Sequence, residues 1–568
     1  MIQTLKNHKW AIILALIVSV IVGCPQLYLR YDLGQNSQGI EFFGINDEIA
    51  WSARAREAYD GHPSLGNAYF REGKSDPYVI QPLGAAIIGT AGRILGLNIN
   101  NALLLSRILL SFLVFLLVYS FIYLFSQKKL IALSISSFLI LANSFFSKSA
   151  ILKLLAGLSP TVNFVNYTRP VNPLMTHFFF FGFLLFFWLF YEKKRRKFGI
   201  LSAVFLGLSF YDYFYTWTFL FSFLGVLCLI FILRKNWPDF KRVILVALGA
   251  VLIAVPYFYN LYRITTFPTY DEVRQRVGLI ENQTLVVGTM APILLGIFLL
   301  FFRRQWKERY YFGLALLIAP LVVLNQQLIT GLVMQSGHYH WYFHMPLAII
   351  FLLIMLFDRI PFKKTLAILI IIVSLGAGVF IQKSSYAAHR EQILEWQRYG
   401  SVMDWLSKNA EKDEVVFSDS KAAFMIVIYT PLNVFYHSNA GGCLSTTHER
   451  LLDALFLYYR LSGVGINDAE KVFAEDRGYI SEKLYGTYFR DSTGEDQYLP
   501  EDLLAEFTKK YQESLNVSNS DFFGEMLIKY GVRYAVWDKE FNPDWLLDQY
   551  LFLEKVAEMN DFIIYRII

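Results

Sequence analysis

Long apolar runs fill the first two-thirds of this 568-residue chain, while polar and apolar positions alternate in the last third as in a water-soluble protein. A membrane-spanning helix needs roughly 20 mostly apolar residues. By that criterion the pattern predicts about eleven spans, several of them short: 10–27, 102–126, 130–147, 172–191, 198–212, 214–233, 242–260, 286–303, 309–325, 341–357 and 365–382. The expected fold is therefore an α-helical polytopic membrane domain over 1–385, followed by a soluble domain over 386–568.

Basic clusters fall in alternate loops between these runs, including Lys128-Lys129, the run 193–197, Arg303-Arg304 and Lys363-Lys364. Lysine and arginine accumulate on the cytoplasmic side of membrane proteins. The N-terminus joins that side, and an odd number of spans places the C-terminal domain outside the cytoplasm. The predicted external segments are 28–101, 148–171, 261–285, 326–340 and everything after about 385.

The C-terminal region predicts an extracytoplasmic α/β domain. Short β-type runs occur at 415–418, 433–436, 534–537 and 562–565. Helical patterns at 391–409, 447–462, 500–515 and 522–530 separate them. Alternation of this kind is typical of an α/β layout.

The amino-acid composition and net charge limit the kinds of partner that this chain is expected to bind. Charged residues make up 17% of the chain, against about a quarter in ordinary globular proteins. The net charge of +6 follows membrane topology, so nucleic acid is not an expected partner and membrane lipids are. Cys24, Cys228 and Cys443 show no disulfide or CxxC spacing.

The first external loop contains the most informative motif, from Gly44 to His62. Asn46 as N-cap and Gly61 as stop predict a helix over 47–60, too charged to span and expected to lie at the membrane surface. Asp47, Trp51, Arg54 and Ala58 share one face of it. A second surface helix is predicted from Pro82 to about Gly96. One interpretation is that Asp47 and Glu48 only complement the helix dipole.

An adjacent Asp-Glu after the first span, an aromatic four residues past the Asp, and then Ala-Arg-Glu resemble the first-loop signature of GT-C glycosyltransferases. Lipid A aminoarabinose transferases and protein O-mannosyltransferases are similar in pattern. Trp51 stands where that superfamily usually has tyrosine. The resemblance covers the membrane part of the chain.

The resemblance implies an enzyme that transfers a sugar, with inversion, from a polyprenyl-phosphate donor to a glycan, lipid or protein acceptor on the external face of the cytoplasmic membrane. Asp47 is then the candidate general base for the acceptor hydroxyl. Glu48 is its orienting partner or a metal ligand. No cofactor is required by the pattern, and a divalent metal ion stays open.

Three arginines are candidates for holding the donor phosphate: Arg169 in the segment 167–173, Arg263, and Arg54 on the first-loop helix. Guanidinium groups suit bidentate phosphate contacts. The alternative is that each arginine anchors its helix among lipid headgroups.

A polar and aromatic run from Gly337 to Pro346 predicts part of the substrate site. His338, His340, Gln327, Asp212 and Trp51 are the substrate-binding candidates; Asp212 is expected at the tip of an external hairpin. His340 and His344, one helical turn apart, and Glu48 are the candidate metal ligands, although the run itself offers no third ligand.

Two alternatives stay open from the sequence. An oligosaccharyltransferase-like enzyme would carry a Trp-Trp-Asp-Tyr-Gly motif, which Trp537-Asp538 does not match. A lipid-linked glycan transporter or flippase would also have many spans, but inverted repeats are not visible.

Overall fold

The computed structural model describes residues 7–43, 47–146, 148–156, 163–302, 307–333, 335–487, 489 and 499–568. The chain divides into two compact units. One, here called the bundle unit, comprises Met1–Asn36, Asn100–Phe258 and Asn282–Ile393. The other, the sheet unit, comprises Ser37–Ile99, Tyr259–Glu281 and Leu394–Ile568.

The bundle unit is built from helices rich in buried aromatic and aliphatic side chains. Their bounds are Lys9–Leu33, Ile99–Ser126, Lys129–Leu141, Lys148–Leu155, Thr176–Lys193, Arg196–Asp212, Phe214–Leu233, Trp237–Ile253, Met290–Phe301, Lys307–Val323, Gln327–Thr330, Ser336–Tyr339, Met345–Arg359 and Lys363–Glu395, with Val255–Thr265 running on from Trp237–Ile253. A short strand, Leu332–Val333, lies between two of them.

Six stretches of the described chain are long and apolar enough to cross a membrane. They are Lys9–Asn36, Ile99–Ser126, Pro170–Lys193, Phe214–Leu233, Ser336–Arg359 and Lys363–Asn409. The pair Trp237–Ile253 and Val255–Thr265, bent by 56°, would make a seventh. Every predicted apolar run falls on a helix, so the polytopic fold is confirmed. Several helices, such as Lys129–Leu141, have fewer than 18 residues, and the count of eleven spans stays a prediction.

The sheet unit combines helices with a five-stranded sheet. Its helices are Glu48–Tyr59, Leu83–Ile94, Tyr270–Arg276, Gly400–Asn409, Ser420–Tyr429, His448–Leu461, Ala469–Glu475, Arg477–Tyr485, Glu501–Ser514 and Asn519–Lys529. The five strands of the sheet are Val415–Phe417, Asn433–Val434, Val532–Asp538, Leu553–Met559 and Phe562–Ile567. A further short strand, Ile280–Glu281, is not part of this sheet.

The sheet mixes parallel and antiparallel pairs. Val415–Phe417 runs parallel to both Asn433–Val434 and Val532–Asp538. Phe562–Ile567 then pairs antiparallel with Val532–Asp538 and with the edge strand Leu553–Met559. The predicted α/β layout is confirmed. The edge strand was missed because its charged residues break the apolar alternation, and charges of that kind protect a sheet edge from further pairing.

The first loop, 37–99, packs with the C-terminal residues, although the sequence assigned it to the membrane domain and set the boundary at 385. Ile40, Phe42 and Phe70 share one apolar core with Trp396 and Met425. Burial of such side chains stabilises the contact by about 25 cal/mol per Å² of apolar surface. By compactness, the loop is therefore part of the sheet unit.

Small residues explain how the first-loop helix Glu48–Tyr59 packs. Ala53, Ala55 and Ala58 are buried, and a Cβ atom at Gly89 would lie 2.9 Å from the Ala58 Cβ atom. Helix Leu83–Ile94 thus approaches closely on one side, and helix Ser420–Tyr429 packs on another. Protein therefore covers most of this helix, and its position at a membrane surface stays a prediction.

Candidate functional site

The Asp-Glu pair lies where the first-loop helix begins. Asp47 is exposed and precedes the first helical turn, with φ −83° and ψ 17°. Glu48 is half-buried, and its Oε2 atom accepts a hydrogen bond from the Phe43 backbone N–H at 3.0 Å. Asn46, the predicted N-cap, lies outside the described residues. The two carboxylates therefore differ: Asp47 faces solvent, whereas Glu48 also holds the preceding backbone.

Arg54, on the same helix, is buried, with 3% of its surface exposed. Its Nη2 atom donates to the backbone carbonyls of Ile80 at 2.7 Å and Gln81 at 3.2 Å. The guanidinium carbon lies 6.0 Å from the centre of the half-buried Trp51 ring. Burial lowers the pKa of Arg54. These contacts favour a structural role for Arg54, in contrast to the predicted contact with donor phosphate.

Glu57, the last residue of the signature, is also buried. Its Oε1 atom lies 2.8 Å from Lys74 Nζ and 2.9 Å from His62 Nδ1. Burial raises the pKa of Glu57, and the charge of Lys74 opposes that rise. These contacts of Glu57 hold the loop together. The exposed carboxylate of the signature is Asp47, at the N-terminal end of the helix.

Arg263 lies in the sheet unit and is exposed. Partial burial raises the pKa of Asp76, and the charge of Arg263 opposes that rise. Nearby, the Asn260 side-chain amide donates to the Tyr78 carbonyl at 2.9 Å and its oxygen accepts from the Tyr78 N–H at 3.2 Å. The segment carrying Arg263 is thereby fastened to the first loop.

Arg169 lies in the bundle unit beside the histidine-rich run. Its Nη2 atom donates to the Tyr342 hydroxyl at 3.2 Å. The Tyr342 carbonyl accepts from His177 Nε2 at 2.6 Å, and the Tyr167 hydroxyl bonds to His177 Nδ1 at 2.8 Å. The structure thus brings together two of the predicted segments, 167–173 and 337–346. Sequence reasoning missed the link, His177, which lies among phenylalanines at the start of a span.

His338 lies in an aromatic recess of the same unit. Its Nδ1 atom is hydrogen-bonded to the Tyr213 hydroxyl. The Tyr215 ring stacks on the imidazole, with centroids 4.6 Å apart and planes 17° apart. The Tyr342 ring centre is 5.9 Å away. Aromatic faces beside polar atoms are the combination that a sugar ring needs. The aromatic run 210–217 was the sequence signal for these tyrosines.

The remaining candidates are more buried than predicted. Asp212 ends helix Arg196–Asp212 with only 2% of its surface exposed, and its carboxylate lies against Thr176. The next helix, Phe214–Leu233, begins two residues later, so Asp212 lies at the predicted hairpin turn but is buried there. Gln327 is also buried, and its Nε2 atom donates to the Thr284 carbonyl at 2.9 Å.

His340 and His344 lie side by side, with ring centroids 5.9 Å apart. His344 is buried. Across the described ranges, no group of three or more His, Cys, Asp or Glu side chains is arranged to hold a metal ion. Within the described residues, the predicted metal ligation by Glu48, His340 and His344 is therefore not supported by any group of three such side chains.

No family model matches the chain, and no curated protein matches it. Solved structures do. ArnT from Cupriavidus metallidurans bound to undecaprenyl phosphate is 11% identical, with 98% of each chain covered and a TM-score of 0.47. ArnT of the same organism in the apo state is 12% identical, with 92% of this chain and 93% of that chain covered and a TM-score of 0.43.

The Archaeoglobus fulgidus oligosaccharyltransferase tethered with an acceptor peptide containing the NVT sequon is 13% identical. The match covers 95% of this chain and 70% of that chain, with a TM-score of 0.45. Both kinds of protein are GT-C glycosyltransferases, the superfamily that the first-loop signature resembles.

Proposed function

We propose that this chain is a membrane glycosyltransferase that moves a sugar from a polyprenyl-phosphate donor to an acceptor hydroxyl on the external face of the membrane. The observation that carries the proposal is the position of Asp47. The first-loop helix buries Ser52, Arg54 and Glu57, yet its Asp-Glu signature begins with an exposed carboxylate. A residue that only complements the helix dipole does not need the surrounding pattern of Asp-Glu, aromatic residue and Ala-Arg-Glu.

The reaction is a single displacement with inversion. The acceptor oxygen attacks the anomeric carbon while Asp47 takes the hydroxyl proton. The bond from the anomeric carbon to the phosphate oxygen breaks, and its electron pair leaves with the lipid phosphate. Negative charge grows on that phosphate, so a preorganised cation lowers the barrier.

Arg169 is the better supported of the two remaining phosphate candidates. Its Nη2 atom donates to the Tyr342 hydroxyl, which holds the guanidinium beside the histidine-rich run, and a guanidinium suits bidentate contact with a phosphate. Arg263 interacts electrostatically with Asp76, and a carboxyl group there competes with a phosphate for the guanidinium. We therefore assign donor-phosphate contact to Arg169 first, with His338 and its tyrosines as the sugar-contacting group. The roles suggested for Gln327, His340 and Asp212 stay proposals of the same kind.

Asp47→Asn tests the proposal. Removal of a general base costs about 10²- to 10⁴-fold in rate, so transfer from a polyprenyl-phosphate sugar should fall by that factor. Asp502→Asn is the matched control, because Asp502 is an exposed aspartate in the first turn of helix Glu501–Ser514 in the same unit. Loss of a helix-dipole contact alone costs about 0.3–1 kcal/mol of stability.

Donor binding should persist in Asp47→Asn, because the base acts only as the bond forms. Equal transfer by wild type, Asp47→Asn and Asp502→Asn, at matched folded protein, would refute the general-base role. Vesicle transport of lipid-linked glycan without transfer would instead favour a flippase.

A further inference from the structure

The bundle unit contains a cavity of about 570 Å³, whose lining includes none of the residues proposed for sugar transfer. Three helices form its walls: Lys9–Leu33, Ile99–Ser126 and Thr176–Lys193. The lining is mostly hydrocarbon and includes Ile12, Phe112, Leu116, Leu124, Leu185 and Leu189. Volumes of roughly 300–1,000 Å³ are typical of small-molecule sites.

The lining extends from one end of the bundle to the middle of the second helix, where Phe112 lies. His8 and Ile12 are at the start of the first helix, Leu124 is near the end of the second, and Leu185 and Leu189 are in the second half of the third. Arg169 precedes that third helix, roughly 25 Å away along its axis at 1.5 Å per residue. The His8 end of the cavity is therefore at the opposite end of the bundle from Arg169.

The mouth of the cavity is polar and basic. His8 Nδ1 is hydrogen-bonded to the Tyr119 hydroxyl at 2.7 Å, and the imidazole meets the Tyr123 ring edge-on at 5.1 Å. Lys129 Nζ donates to the Asn7 carbonyl at 2.8 Å, next to His8. Lys9 is exposed beside them. Each basic residue near an anionic leaflet contributes about 1 kcal/mol of attraction.

We propose that this cavity binds one anionic glycerophospholipid of the leaflet at the N-terminal end of the bundle. An acyl chain lies between the apolar walls, because a polar ligand in that space could not satisfy its own hydrogen bonds. The headgroup phosphate lies at the mouth, near Lys129 and His8. Charge complementarity selects an anionic headgroup over a zwitterionic one.

Native mass spectrometry of the full-length detergent-purified protein tests this, with dioleoyl phosphatidylglycerol and dioleoyl phosphatidylcholine as probes. Leu116→Trp fills the cavity and should reduce phosphatidylglycerol binding at least tenfold. Ile13→Trp is the control, because Ile13 is on the same first helix, 42% exposed and outside the lining. Lys129→Glu changes an exposed side chain and should reduce the preference for phosphatidylglycerol at least about fivefold, as expected for one lysine contact.

One phosphatidylglycerol per chain in wild type and in Ile13→Trp, with loss in Leu116→Trp, supports the proposal. Equal binding of both lipids by wild type would overturn it. So would unchanged binding in Leu116→Trp, or displacement of phosphatidylglycerol by a polyprenyl phosphate at equal concentration. If Leu116→Trp fails to fold, Lys129→Glu decides alone: an unchanged lipid preference refutes the site.

Discussion

Replacing Gly89 by alanine should disturb the helix that begins at Asp47. A Cβ atom at position 89 would lie 2.7 Å from the Tyr59 backbone nitrogen and 2.9 Å from the Ala58 Cβ atom, and also too close to the Ala55 carbonyl oxygen. The Tyr59 distance is about 0.7 Å short of an ordinary 3.4 Å contact. Two of the three neighbouring atoms are backbone, so no side-chain rotation can relieve the clash. The two helices must move apart.

The size of the effect follows from that displacement. Overpacking of this kind costs about 1–3 kcal/mol, and each kcal/mol lowers the melting temperature by about 2–4 °C in a domain of 150–250 residues. A shift of about 1 Å in a catalytic group can cost on the order of 10²-fold in rate. Gly89→Ala should therefore melt about 2–12 °C lower and lose up to about 10²-fold in sugar transfer.

The assay compares melting temperature at one scan rate with transfer per folded molecule. Gly465→Ala is the control in the same unit, because the nearest atom to its added Cβ would be Asp468 Oδ2 at 3.7 Å. If Gly89→Ala matches wild type in both measurements, the close packing of this helix pair is refuted. A lower melting temperature with unchanged turnover would show that the Asp47 end of the helix does not depend on the Gly89 contact.

Three further predictions follow. Arg169→Ala should weaken donor binding and turnover, and Lys should restore them only in part because an ammonium lacks the forked geometry; equal donor titrations for wild type and Ala would contradict the assignment. Burial raises the pKa of Asp419 to about 6, above its unfolded value, so the folded state holds that proton more tightly and stability should fall as the pH rises from about 4 to 7. In Asp419→Asn this decrease in stability should be smaller by on the order of 1 kcal/mol, as measured by melting experiments across that pH range. An unchanged decrease would refute the prediction. A cysteine at exposed Ser64 should react with an impermeant maleimide on intact cells, and protection would reverse the proposed orientation.

Elements with a local signal could be predicted from the sequence, and elements set by a partner could not. The first-loop helix was expected at 47–60 and is found at Glu48–Tyr59. Helix Ser420–Tyr429 was missed, because its apolar run, 422–428, is short and unbroken, and periodicity alone cannot assign such a run to a helix or a strand. Its N-cap is Asp419, whose Oδ1 atom accepts from the N–H groups of Lys421 and Ala422. A cap of this kind begins a helix, but only the folded backbone shows that it forms.

Long-range contacts were beyond the sequence pattern. The segments around Arg169 and His338 were each singled out, yet nothing local joins residues so far apart in the chain. Their link is the Tyr342 residue, which bonds Arg169 through its hydroxyl and His177 through its carbonyl. Contacts between residues far apart in the sequence depend on the packing of the whole bundle. Hydrophobic periodicity and composition contain no information about that packing.

The first-loop helix shows why a correct helical face need not be a functional face. Asp47, Arg54 and Ala58 do share a face by helical geometry, and this suggested that Arg54 and Asp47 act on one substrate. Arg54 and Ala58 are buried, whereas Asp47 is exposed, because neighbouring helices cover the middle of the helix and leave its start open. Exposure here changes along the helix axis, and periodicity reports only position around the axis. The chemistry proposed for this helix therefore belongs to its N-terminal end, where Asp47 is exposed.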